Sequence, residues 1–246
     1  PGTDFDACVD AADITLSGFS PTGGTWSGTG ITNATGVFAP SGAGVGSHVL
    51  SYSVSNAKCT TTETITATVN GLPNVVAGTY GPICLGDDVT FNATGATTYS
   101  WSPATGLSNA AINNPVASPT ATTTYTVTGT DDNGCVNTDQ TTLTIEPVPT
   151  ADFTAESVCI GDTMFFVNGS SPTTGVSYQW DFGNGQFSTA SDPSNLYLNP
   201  GDFDLELIVV WGNCSDSFTS TVTVNPRPST SFLATPEQTT AIEPLI

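Results

Sequence analysis

Six cysteines carry most of the chemistry open to this sequence. They fall at Cys8, Cys59, Cys84, Cys135, Cys159 and Cys214, and taken in sequential pairs they lie 51, 51 and 55 residues apart. The first members of the pairs are spaced by 76 and 75 residues. A thiol can form a disulfide, ligate a soft metal or act as a nucleophile. There is no Cys-x-x-Cys pair, and His48 is the single histidine, so a zinc site lacks its clustered ligands. Any histidine-based triad would have to rest on His48 alone. His48 lies in Ser47-His-Val-Leu50, an alternating strand pattern in which it reads as a surface residue. No G-x-S-x-G elbow, Walker loop or G-x-G-x-x-G is present, and the glycines of 23–30 and 42–46 precede strands and read as turns. The chain is not expected to be an enzyme.

Oxygen ligands are the second candidate chemistry. Acidic groups cluster at Asp4, Asp6 and Asp10, at Asp87 and Asp88, at Asp131, Asp132 and Asn133, and at Asp181 with Asn184. Calcium takes six to eight oxygens, and several of these groups lie in turns where carboxylates could converge. The calcium candidates are Asp87, Asp88, Asp131, Asp132 and Asp181; none has EF-hand spacing, and the competing role is that of turn-forming Asx residues. Calcium is the one cofactor left open, and no other metal is expected. Asn33, Asn92, Asn168 and Asn213 have the N-linked acceptor form, and Thr163, in Asp162-Thr163-Met164, is a candidate O-linked acceptor.

The elements that must position these residues follow from a repeat. A tryptophan follows each first cysteine at a similar distance, at Trp26, Trp101 and Trp180. Three copies of Cys…Trp…Cys at one pitch make an internal repeat of about 75 residues, the size of a small immunoglobulin-like sandwich. The tryptophans are read as core plugs. Among the fifteen ways of pairing six cysteines, the repeat selects Cys8–Cys59, Cys84–Cys135 and Cys159–Cys214, one disulfide per module. Closing a loop of that length contributes roughly 4 kcal/mol in the chain-entropy picture. The second cysteines lie in turn-like sequence, Asn56-Ala-Lys-Cys59, Asp131-Asp-Asn-Gly-Cys135 and Gly212-Asn-Cys214, each followed by an alternating strand. The disulfide is therefore expected as a staple at one end of each sandwich.

Composition agrees with strands and turns. Thr, Ser, Gly, Asn and Pro dominate the polar residues, and helix formers are scarce. Proline segments mark the boundaries: Gly71-Leu-Pro-Asn74, Glu146-Pro-Val-Pro-Thr150 and Asn225-Pro-Arg-Pro-Ser229. They divide the chain into modules 1–71, 72–147 and 148–225, with residues 226–246 as a linker and the opening strands of a fourth module, or as a donor strand for a neighbour. That last reading rests on the alignment of Pro226-Arg-Pro-Ser-Thr-Ser-Phe232 with Pro147-Val-Pro-Thr-Ala-Asp-Phe153. The fold class expected is all-β, three tandem immunoglobulin-like sandwiches in an extended rod on the order of 100 Å long.

Charge narrows the partners. Against 22 Asp and Glu stand Lys58 and Arg227, a net of −20. A phosphate backbone must be met by cations, which excludes nucleic acid as a partner. No apolar run of about 18 residues is present, so membrane insertion by a helix is not expected. Disulfides imply an oxidising compartment, and the localisation expected is extracellular, at the cell surface.

A family resemblance appears at the third module. The stretch Trp180-Asp-Phe-Gly-Asn-Gly185, followed by Asp192-Pro193, Tyr197, Pro200-Gly201 and Phe203-Asp-Leu-Glu-Leu-Ile-Val-Val210, resembles a PKD (polycystic kidney disease) domain. Residues 72–146 look like a related module through Cys84-Leu-Gly-Asp87 and Tyr99-Ser-Trp-Ser-Pro103, and residues 1–70 like a variant with Gly23-Gly-Thr-Trp-Ser-Gly-Thr-Gly30. The combination resembles the giant repeat adhesins of Bacteroidota, including gliding-motility-associated proteins exported by type IX secretion. The resemblance implies a non-catalytic structural or adhesive segment of a large surface adhesin or stalk. Its partners would be neighbouring repeats or subunits, surface glycans or other cells. Two other readings stand beside it: a self-polymerising filament subunit whose C-terminal strand completes a neighbour, and an accessory carbohydrate-binding region of a secreted hydrolase.

Overall fold

The computed structural model describes residues 2–230. The expectation for residues 226–246, as fourth-module strands or a donor strand, falls almost wholly outside the described residues. The described chain contains 22 strands and one helical turn. It divides into two compact units, residues 2–146 and 147–230, and three separate hydrophobic cores. Two of those cores lie in the first unit.

Module 1 comprises β1 (Phe5–Cys8), β2 (Ile14–Thr15), β3 (Thr25–Ser27), β4 (Ile31–Asn33), β5 (Val37–Phe38), the turn α1 (Pro40–Ala43), β6 (Gly46–Ser55) and β7 (Thr60–Asn70). One sheet runs β1-β7-β6-β3 and the other β2-β5-β4. The long hairpin β6–β7 is written in Thr-rich alternation: only Ile65, Ala67 and Val69 of β7 turn into the core, because successive side chains of a strand point to opposite faces. Trp26, Phe38, Leu50 and Tyr52 complete that core.

Module 2 comprises β8 (Ile83–Cys84), β9 (Val89–Thr90), β10 (Thr98–Ser102), β11 (Val116–Ala117), β12 (Thr123–Thr130), β13 (Val136–Leu143) and β14 (Ile145–Glu146). Its main sheet is β10-β12-β13, with the pairs β9–β11 and β8–β14 beside it. Phe91 sits between Trp101 and Tyr125, with ring centroids 5.1 and 5.3 Å away. Such aromatic contacts add to the area that each ring buries.

Module 3 comprises β15 (Phe153–Ala155), β16 (Val158–Cys159), β17 (Thr163–Asn168), β18 (Ser177–Asp181), β19 (Phe187–Ser188), β20 (Ser194–Leu196), β21 (Gly201–Trp211) and β22 (Cys214–Asn225). It is a sandwich of β15-β17-β20 against β16-β22-β21-β18-β19. Trp180, 1% exposed, lies over Phe153 and Phe166.

The three modules share a feature that fixes the direction of each cysteine-bearing strand. A short early strand runs parallel to the end of the last strand: Cys8 lies opposite Asn70, Cys84 opposite Glu146, and Cys159 opposite Asn225. The amide of the next residue closes the pairing each time, Val9 to Asn70, Leu85 to Glu146 and Ile160 to Asn225, at 2.9, 2.8 and 2.9 Å between nitrogen and carbonyl oxygen. The first cysteine of a module thus sits where the chain leaves that module.

Candidate functional site

The second cysteine of each module lies at the opposite end. Cys59 and Cys135 close the turns that open β7 and β13, and Cys214 begins β22 opposite Trp211. In the first two modules an Asx residue shapes the turn. The Asn56 side-chain oxygen accepts from the amides of Lys58 and Cys59, both at 2.9 Å. The Asp131 carboxylate accepts from the amides of Asn133 and Cys135, at 2.9 and 2.8 Å. Each turn carbonyl is also met, with the Asn56 amide donating to Cys59 and the Asp131 amide to Cys135.

This geometry corrects the expected pairing. Between Cys59 and the Cys8 level of the same module runs the whole of β7, 11 residues, which is roughly 35 Å of extended strand. A disulfide requires Cα atoms within about 7 Å. The same distance separates Cys84 from Cys135 along β13–β14, and Cys159 from Cys214 along β22. None of the three bonds Cys8–Cys59, Cys84–Cys135 and Cys159–Cys214 can form. Instead Cys8 is bonded to Cys135, with sulfurs 2.01 Å and Cα atoms 5.5 Å apart. The bond joins module 1, where its chain leaves, to the turn of module 2, and it spans 127 residues of sequence. Cys84 and Cys214 are also disulfide-bonded. Cys59 and Cys159 are free thiols, the first exposed and the second partly so. The bond expected inside module 1 is therefore replaced by one that joins module 1 to module 2.

The tryptophans of the repeat are all buried, Trp26 at 5%, Trp101 at 3% and Trp180 at 1% exposure. The Trp101 and Trp180 ring N–H groups donate to the carbonyls of Ile112 and Ala190, each at 3.0 Å, while that of Trp26 meets no acceptor among the described residues.

The acidic candidates are not brought together. Asp87 and Asp88 follow β8, Asp131 and Asp132 lie in the turn before β13, and Asp181 ends β18. Among the described residues no three His, Cys, Asp or Glu side chains converge on a common metal position. Asp181, Asn184 and Asp131 hold turns, Asp181 accepting from the Gly183 amide at 2.9 Å and Asn184 from Gln186 at 3.1 Å, while Asp132 accepts across the module from the Thr97 hydroxyl at 2.8 Å. His48 is bonded through Nε2 to the Gly44 carbonyl at 2.7 Å. Thr163 is exposed at the start of β17. Beside it, Asp162 pairs with Arg227, whose Nε also donates to the Ile160 carbonyl at 2.9 Å. The cation of the last linker thereby clasps the turn that follows Cys159.

Two carboxylates fasten the segments that open modules 2 and 3 to the strands β13 and β22 by the same device. Asp139 accepts from the Ala77 amide and Asp216 from the Ala151 amide, both at 2.8 Å. The amides of Ala77 and then Gln140 hold the Asp139 carboxyl below its ordinary value of 3.8.

One surface lay outside the sequence reading. On module 3, Phe165, Val167 and Leu196 point outward at 70%, 63% and 46% exposure. The signal was present in the run Met164-Phe165-Phe166-Val167, since a sandwich strand can bury only alternate side chains.

Comparison with known proteins agrees with the third module. The model of the PKD domain matches residues 146–225. The chain is 32% identical to the PKD1 domain of Vibrio anguillarum Epp, covering 96% of that domain and 32% of this chain, with a TM-score of 0.30. It is 34% identical to the PKD1 domain of the Vibrio cholerae metalloprotease PrtV, covering 98% of that domain and 32% of this chain, with a TM-score of 0.29. The titin I-band fragment I67–I69 matches over 92% of this chain and 96% of its own length, at 10% identity and a TM-score of 0.44. Comparison with curated proteins finds no match. Through residues 146–225, this chain belongs to the PKD-domain family, in a tandem of immunoglobulin-like and PKD β-sandwich modules.

Proposed function

We propose that this chain is a non-catalytic structural and adhesive segment of a large extracellular surface protein, of the kind represented by the repeat adhesins of Bacteroidota. The observation that carries the reading is the Cys8–Cys135 bond. A disulfide inside a module protects that module; one between modules fixes how two neighbours meet and holds them together if either opens. Such a bond serves a protein under tension outside the cell, where oxidising conditions preserve it. The net charge of −20 keeps a Thr-rich β-protein soluble and repels phosphate-bearing partners. The apolar face around Phe165 offers module 3 a contact surface of its own.

A second reading, a filament subunit, is favoured by the free thiols of Cys59 and Cys159. Immunogold labelling of intact source cells, together with attachment assays on cells lacking the chain, tests the main proposal. Label on unbroken cells and loss of attachment support it. Label that appears only after lysis, with attachment unchanged, contradicts it.

A further inference from the structure

We infer that Cys59 and Cys159 are complementary halves of the bond that Cys8 and Cys135 already make, and that each is completed by the opposite half from an adjoining module of this repeat. The inference adds a covalent partner to the extracellular reading above.

The bonded pair supplies the template. Cys8 comes from the early parallel strand of one module, Cys135 from the last turn of the next. Cys159 occupies the Cys8 position in module 3: each lies opposite the final residue of its last strand, and each carbonyl accepts a turn hydrogen bond at 3.0 Å, from Ala11 in one case and Asp162 in the other. Cys59 occupies the Cys135 position in module 1, with its amide on an Asx side chain and its carbonyl on the amide of that same Asx residue. Their equivalents are bonded to each other in this structure; these two alone among the six cysteines are free. Within its own module each faces away from the other cysteine, along a full strand, so neither can be satisfied there. A strand-end cysteine therefore requires a turn cysteine from elsewhere, and a turn cysteine a strand-end one. The source is a further module of the same polypeptide or a second copy of this chain.

The step is thiol–disulfide exchange with a low-molecular-weight disulfide as oxidant. One cysteine thiolate attacks that disulfide, releasing one small thiol and leaving a mixed disulfide. The second cysteine thiolate displaces the other small thiol, so two protein thiols are oxidised and one small disulfide is reduced to two thiols.

The test uses Cys59→Ser and Cys159→Ser variants of the whole chain in a glutathione redox buffer at physiological salt, where the Debye length is about 8 Å and repulsion between the acidic copies is screened. Each variant alone is expected to stay monomeric on a non-reducing gel. Their mixture is expected to give a single dimer, at least about tenfold above either homodimer, with peptide mapping that places the bond at Cys59–Cys159. Homodimers as abundant as the mixed dimer, or no mixed dimer, would overturn the inference. Failure here leaves the extracellular reading standing, because the buffer supplies the oxidant. Native material, with its thiols blocked on isolation, then distinguishes the sources. Mass that falls on reduction identifies a second copy. Unchanged mass with both cysteines oxidised identifies a module of the same polypeptide, and both found as free thiols contradicts the proposal.

Discussion

Asp131 does two things at once, since its carboxylate receives the amides of Asn133 and Cys135 and thereby presents the Cys135 sulfur to Cys8. Replacing it with alanine leaves two turn amides without their acceptor, and each such bond contributes about 1 kcal/mol. Asp131→Ala is expected to lower unfolding stability by about 1–2 kcal/mol in denaturant titration, with Asp131→Asn close to the parent. Asp139 makes a different prediction, in pH. Its folded-state pKa lies below the ordinary 3.8, so the carboxylate is favoured in the fold. The stability it contributes is present above that ordinary value and is lost as pH falls through the lower, folded one. Melting temperatures measured from pH 6 down to pH 2 should therefore drop more steeply below about pH 4 for the parent than for Asp139→Asn. Equal slopes would show that the Ala77 amide does not depend on the charge.

Elements decide where these residues can reach, and here a single close approach matters. Gly95 has φ +93°, and a Cβ on it would lie 1.8 Å from the Asn74 carbonyl oxygen. The segment entering module 2 crosses this glycine, and the pairing of Val76 with Thr94 holds it there. Gly95→Ala is expected to cost on the order of 2–4 kcal/mol, combining backbone strain with a backbone clash. Hydrogen exchange should show early opening of residues 74–77; an unchanged exchange rate would remove the crossing as a constraint. Much of the element pattern was legible beforehand. The alternation in Thr64-Ile-Thr-Ala-Thr-Val69 and its counterparts marked the last strand of each module, and the repeated Trp26, Trp101 and Trp180 marked the core. The pairing of the cysteines was not legible from spacing, because a pitch of about 75 residues is the same whether bonds close within modules or between them. What separates the two is strand direction. The early strand of each module runs parallel to its last strand, so Cys8 and Cys59 finish a strand length apart. A two-residue strand such as Val158–Cys159 has too few residues for any periodicity to announce it. The apolar face of β17 escaped for a related reason: a continuous run reads as core until its partner sheet is known.

At the scale of the whole molecule, modules 1 and 2 are tied to each other covalently. A mechanical consequence follows for the first unit, residues 2–146. Pulled between handles at residues 2 and 147 of the intact chain, force enters at Cys8 and crosses directly to Cys135, so the 127-residue span between them is shielded. Single-molecule extension before and after addition of a reducing agent measures this shielding. The account predicts that reduction exposes one continuous hidden length of about 440 Å, at ~3.5 Å per extended residue. Two separate hidden lengths of roughly 180 Å each, the signature of a disulfide closed within each module, would contradict it.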